Sequence, residues 1–163
     1  MVSGVAGADM EIDVQGPLLG MASACQPILR ALPQWFGIPE ATQQYLEDIE
    51  GLPTFMASLD GEAVGFLTLT EHGDYAAEIH VMGVRPELHR TGVGRALVTR
   101  AEQHLCGRGV EFLQVKTLSE RHPDGSYART RAFYSAMGFR PLEEFPELWG
   151  EENPCLQMIK SLV

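Results

Sequence analysis

Apolar positions change their period several times along the chain, and each change marks an element. From Met21 to Phe36 the residues Ile28, Leu29, Leu32, Trp35 and Phe36 recur at helical spacing, and Pro33 ends or kinks that helix. Pro39 opens a second helical stretch, Glu40 to Ile49, because proline is favoured at an early helix position; Gly51 and Pro53 punctuate its end. The period then falls towards two. Thr54 to Leu59 and Glu62 to Thr70 read as strands joined at Asp60-Gly61, a strong two-residue turn signal. Tyr75 to Val84 predicts a third strand, with Ile79 and Val81 on one face and Glu78, His80 and Met82 on the other. Gly83 near its end suggests a bulge or a close backbone approach.

Beyond a glycine loop at Thr91 to Gly94 the helical period returns. Leu97, Ala101 and Leu105 repeat at i, i+4, Val93 and Val98 widen the stripe, and Gly107 and Gly109 stop it. Val110 to Leu118 reads as a strand, Ser119 to Tyr127 as a polar loop around Pro123-Asp124-Gly125, and Ala128 to Met137 as a short helix capped by Gly138. Phe139 to Leu142 and Cys155 to Ile159 are the last two strands. The Gly-rich residues 1–16 form a loose start with at most one short strand near Glu11 to Val14, which leaves 17–163 as a single domain. The order α, α, β, β, β, α, β, α, β, β places the chain in the α/β (α+β) class, a mixed sheet with helices packed on it.

Composition narrows the functions. The chain has 163 residues, 45% hydrophobic and 21% charged, a globular balance with too much apolar content for disorder. Its net charge of −10 argues against a duplex nucleic-acid partner, which needs a basic face. The charge is uneven: up to Val84 one basic residue, Arg30, stands against twelve acidic ones, whereas from Arg85 onwards eleven basic residues stand against ten acidic. Cys25, Cys106 and Cys155 are widely spaced and odd in number, so neither a disulfide framework nor a zinc site is expected, and a reducing cytoplasm fits. No charged n-region precedes Arg30, and no apolar run reaches bilayer length.

The strand–glycine loop–helix unit Val81-Met82-Gly83-Val84-Arg85-Pro86-Glu87-Leu88-His89-Arg90-Thr91-Gly92-Val93-Gly94-Arg95-Ala96-Leu97 carries the chemistry. Glycines let the backbone approach a ligand, and a helix start offers free N–H groups with a partial positive charge, which suits a phosphate or pyrophosphate. Arg90 and Arg95 add charge at the rim. A Walker loop is excluded because Arg95, not Lys, follows Gly94; a dinucleotide fingerprint is excluded because Leu97 stands where its third glycine belongs.

The loop resembles the acyl-CoA loop of the GNAT N-acetyltransferase superfamily: Gln or Arg, two residues, Gly, one residue, then Gly or Ala. Gly92 and Gly94 match, and His89 departs from the usual Gln or Arg. Thr130-Arg131-Ala132-Phe133-Tyr134-Ser135-Ala136-Met137-Gly138-Phe139 is similar to the late helix of that family. The resemblance implies a GNAT-type, mostly antiparallel sheet flanked by helices. It also implies an enzyme that moves an acetyl group from acetyl-CoA, with no metal, to a primary amine by direct attack. By the same resemblance, Met82, Gly83, Val84, His89, Arg90, Thr91, Gly92, Val93, Gly94, Arg95 and Ala96 would hold the cofactor, with the backbone of Met82 and Val84 pairing with its pantetheine arm. Tyr134 would be the acid for the departing sulfur, and Glu78, with His80 as runner-up, the base. The acceptor would lie among Leu32 to Tyr45, Ser119 to Tyr127 and Glu143 to Pro154; acids such as Glu40, Glu143, Glu144 and Glu147 there point to a small cationic amine. A peptide acceptor and a non-catalytic acyl-CoA sensor are the alternatives, and a homodimer is compatible with the family.

Overall fold

The period-two segments gather into one sheet. In the computed structural model, which describes residues 11–163, the strands are β1 (Asp13–Leu18), β2 (Thr54–Leu59), β3 (Glu62–His72), β4 (Ala76–Val84), β5 (Phe112–Leu118), β6 (Arg140–Phe145) and β7 (Cys155–Ser161). They lie in the order β1-β2-β3-β4-β5-β7-β6. Every neighbouring pair is antiparallel except β4 and β5, which run parallel. The expected mixed, mostly antiparallel sheet is therefore present. Among the described residues no helix is long and apolar enough to cross a membrane.

Helices cover both faces. On one face, α1 (Ala22–Arg30) and α2 (Pro39–Gly51) bury Ile28, Leu29, Leu46 and Ile49 against Met56, Phe66 and Val81. On the other, α3 (Val93–Gly107) and α4 (Gly125–Ala136) pack on Phe55, Leu67, Ile79 and Val115. The α3 stripe of Val93, Leu97, Val98, Ala101 and Leu105 is buried as its spacing predicts. Truncating such a side chain, Leu97→Ala for instance, removes roughly 2–5 kcal/mol of stability.

Four differences from the sequence expectation bear on the architecture around the site. Helix α1 ends at Arg30, ahead of Pro33, because the residue before a proline is pushed out of the α region. Trp35 and Phe36 consequently leave the helix. Helix α4 starts at Gly125, three residues early, because Asp124 is its N-cap and accepts the Ser126 N–H at 2.7 Å. The first strand runs over Asp13–Leu18 and is held as an edge by β2, later than the short strand expected near Glu11 to Val14. Met1–Met10 of the expected loose start lie outside the described residues.

The fourth difference positions the site. Val81 pairs with Thr68 and Ile79 with Leu69, so His80 is an extra residue in β4, a bulge. A bulge reverses the alternation of faces beyond it. Ile79 therefore packs with α3 and α4 while Val81 packs with α1 and α2, and the expected shared face for the two is wrong. Gly83 is not the bulge but the close approach: an added Cβ would stand 3.1 Å from Leu32 Cδ1 and 3.2 Å from Phe66 Cε1. The β4–β5 ladder stops at Ile79↔Val115, and beyond it the two strands separate.

Candidate functional site

The separation of β4 from β5 opens two adjoining cavities. The larger, about 570 Å³, runs over the glycine loop and the end of β4; Met82, Gly83, Val84, Arg90, Arg95 and Arg129 are on its walls. The smaller, about 390 Å³, lies between α2, the β4 bulge and the end of β5. Trp35, Phe36, Met82, Thr130 and Tyr134 belong to both and form the junction.

Local sequence explains the larger cavity. Gly92, the N-cap of α3, has φ +99°, a left-handed conformation that glycine adopts without strain. No side chain caps this helix, and its first internal bond is Ala96 N–H to Gly92 O at 3.0 Å. Among the described residues the N–H groups of Gly92, Val93, Gly94 and Arg95 thus have no partner and form an anion cradle. Gly94 serves packing as well, since a Cβ there would meet the Phe133 ring at 3.1 Å. Arg90, Arg95 and Arg129 line the same cavity and form no ion pair with any described carboxylate.

The sequence-predicted loop residues divide. His89, Arg90, Gly92, Gly94 and Arg95 line the cavity. Val93 is instead fully buried in the core, Thr91 donates its hydroxyl to Leu88 O at 2.5 Å, and the Ala96 N–H is taken up inside the helix. His89 works through its ring rather than a free N–H: Nε2 bonds Val84 O at 2.8 Å, the ring meets Trp35 edge-on at 5.7 Å, and its N–H goes to Pro86 O.

Tyr134 sits at the junction, its ring wedged edge-on between Phe133 and Phe139 at centroid distances of 5.4 and 5.5 Å. Among the described residues its hydroxyl makes no hydrogen bond. Burial, with a smaller contribution from Tyr45, raises its pKa above the ordinary phenol value, so it keeps its proton through neutral pH. Trp35 closes the junction from the α1–α2 connection: its Nε1 donates to Thr130 Oγ1 at 3.0 Å, and its carbonyl accepts from the Tyr127 hydroxyl at 3.2 Å. Burial, followed by Tyr45 and Asp124, pushes the Tyr127 phenol up to about 12.

The two candidate bases are separated. Glu78 lines neither cavity; Lys116 Nζ donates to its Oε2 at 3.0 Å and His72 Nε2 bonds its Oε1 at 2.7 Å. His80 lines the smaller cavity, with Nε2 on Asp48 Oδ2 at 2.8 Å and its ring edge-on to Tyr45 at 5.7 Å. Glu40, Glu143, Glu144 and Glu147 do not line that cavity either. Its walls carry Trp35, Phe36, Tyr45, Tyr127 and Trp149 instead.

Sequence reasoning missed Asp48, Lys116 and Arg129. Asp48 gives no signal, being one of several acids on an amphipathic helix. Arg129 stands just ahead of the late-helix motif, one turn before Phe133, and that i, i+4 relation to a cavity residue was the available clue.

A family model described as the acetyltransferase (GNAT) family matches residues 23–139. A mycothiol acetyltransferase of Beutenbergia cavernae is 34% identical over 115 residues, which cover 64% of this chain and 37% of that protein. The chain spans about a third of the length of the mycothiol acetyltransferases it matches. An uncharacterised N-acetyltransferase of Chlorobaculum tepidum is 29% identical over 66% of this chain and 70% of its own length. Among solved structures, a GNAT-family acetyltransferase of Desulfovibrio desulfuricans superposes with a TM-score of 0.81 at 16% identity, covering 94% of this chain and all of the other.

Proposed function

The chain belongs to the GNAT acetyltransferase family, and from that premise we propose that it moves an acetyl group from acetyl-CoA to the primary amine of a small acceptor by direct attack. One observation carries the reading: an anion cradle and an aromatic cavity meet at the unbonded hydroxyl of a buried tyrosine. The four free N–H groups and the three unpaired arginines fit the pyrophosphate of the donor, and the donor's thiol end then points along β4 to the junction.

The acceptor reaches the same point from the other cavity. Such an amine is mostly protonated at neutral pH and must lose a proton to become a nucleophile. His80 is the base, because it lines this cavity and Asp48 fixes its ring through Nε2, leaving Nδ1 to take the proton. Glu78, the first choice from sequence, is held by Lys116 and His72 outside the cavity and serves to brace β4 against β5. The amine nitrogen forms its bond to the acyl carbon, the carbon–sulfur bond breaks, and the Tyr134 phenol gives its proton to the departing sulfur. The backbone N–H near Met82 polarises the acyl oxygen. The free thiols Cys25 and Cys155 are buried and take no part, and they suit a reducing cytoplasm.

Thiol release from acetyl-CoA, followed against pH, tests this reading. His80→Ala is expected to lower kcat by about 100-fold or more and to abolish the acidic limb of the profile, while Glu78→Gln keeps that limb. A limb lost only in Glu78→Gln would return the base to Glu78. Thiol release from no amine at all would favour an acyl-CoA sensor.

A further inference from the structure

We propose that the acceptor is an amine carried on a flat, uncharged aromatic body, of the arylalkylamine class; this rests on the acetyltransferase reading above. The argument starts from the hydrogen bonds of the smaller cavity. Most of the polar side chains on its walls are already bonded within the protein. Thr42 donates to Phe36 O, Thr130 to Ser126 O, Tyr127 to Trp35 O and Asn153 to Trp149 O. Lys116 is on Glu78 and His80 on Asp48.

Few groups remain for a ligand. The hydroxyls of Tyr45 and Tyr134 and the indole N–H of Trp149 have no partner among the described residues, and Thr117 Oγ1 is buried without one. Tyr134 is assigned to the sulfur. Two hydroxyls and one indole N–H are too few for an aminosugar, whose several hydroxyls would each lose water on entry.

A polyamine is disfavoured for a second reason. No carboxylate side chain lines the cavity, and its lysine carries the same charge as the ligand. Each ammonium beyond the reacting one would be desolvated without a counter-charge. An aryl group, by contrast, loses little on leaving water and gains edge and face contacts with Trp35, Phe36, Tyr45 and Trp149. The same rings attract the single ammonium before His80 removes its proton.

The decisive experiment compares 2-phenylethylamine and tryptamine with spermidine, glucosamine and a short peptide bearing a free N-terminus, by thiol release from acetyl-CoA. The aryl amines are expected to show kcat/KM at least about tenfold higher than the others. Trp149, at 41% exposure on the β6–β7 connection, can be changed without opening the core. Trp149→Ala is expected to raise KM for tryptamine about tenfold and leave KM for acetyl-CoA unchanged, and Trp149→Phe to restore most of the loss. Preference for spermidine, glucosamine or the peptide overturns the aromatic acceptor while the transferase reading stands. If no amine turns over, calorimetric titration of tryptamine in the presence of CoA separates the two: saturable binding supports the aromatic site and overturns the transferase, whereas no binding overturns the aromatic site.

Discussion

The two cavities share Tyr134 and Trp35 yet treat polar groups in opposite ways. Around the larger one, four backbone N–H groups and three arginines stand unbonded. Around the smaller one, most polar side chains already have a partner from the same chain. Unsatisfied donors facing a cavity signal a ligand that will satisfy them, here a polyanion. Satisfied walls leave shape and apolar area to select the ligand. The charge map of the sequence follows this division only on one side. The balanced half supplies the three arginines, but of the described acids of the first half, only Asp48 and Glu78 bond residues of the smaller cavity, His80 and Lys116.

The junction offers the largest effect. Tyr134→Phe removes one hydroxyl from a site that both cavities share and leaves the ring packing against Phe133 and Phe139 in place. We expect kcat to fall roughly tenfold to a thousandfold, with binding of acetyl-CoA kept, as steady-state kinetics and calorimetry would show. Unchanged turnover would remove Tyr134 from the chemistry and leave the cavities merely adjacent.

A smaller effect separates the cavities. Arg129→Ala deletes a free cation from the larger cavity alone. The Kd for CoA should rise about tenfold at low salt, with the difference shrinking as ionic strength increases, and KM for the acceptor should not move. A rise in acceptor KM of the same size would mean that the two cavities bind one continuous ligand.

The same contrast explains what could be read from sequence. The cradle side of the larger cavity comes from one contiguous stretch, 82–95, whose glycines, arginines and helix start carry their meaning locally, so the cradle was legible. The late helix gave Tyr134 by its Phe-Tyr and Gly-Phe pairs. The smaller cavity draws on α2, the β4 bulge, β5 and the β6–β7 connection, which no local pattern links. The bulge hid best: His80 fits an alternating strand in sequence, and only the pairing of Val81 with Thr68 and Ile79 with Leu69 reveals the extra residue. Acids near the acceptor segments suggested a cationic ligand because sequence shows charges without their partners.

Glu144 tests that last point with the smallest effect. It belongs to the acidic stretch that pointed to a cationic acceptor, yet Ser119 Oγ donates to it at 2.6 Å and Arg121 Nη1 at 3.0 Å. The Ser119 hydroxyl and then the Arg121 guanidinium hold its carboxyl below the usual carboxylate range. A group whose pKa is lowered on folding binds its proton less readily in the native state. It therefore adds stability above the ordinary carboxylate pKa and loses it as the pH falls through its folded value. Glu144→Gln should lower Tm by only about a degree at neutral pH, since the pair is exposed to solvent, and thermal melts of variant and wild type should converge as the pH falls below about 4. KM for the acceptor should stay the same, because a carboxylate already bonded to Ser119 and Arg121 has nothing left to offer an amine. A rise in acceptor KM, with the melts parallel at every pH, would instead put Glu144 on the acceptor and restore the cationic ligand.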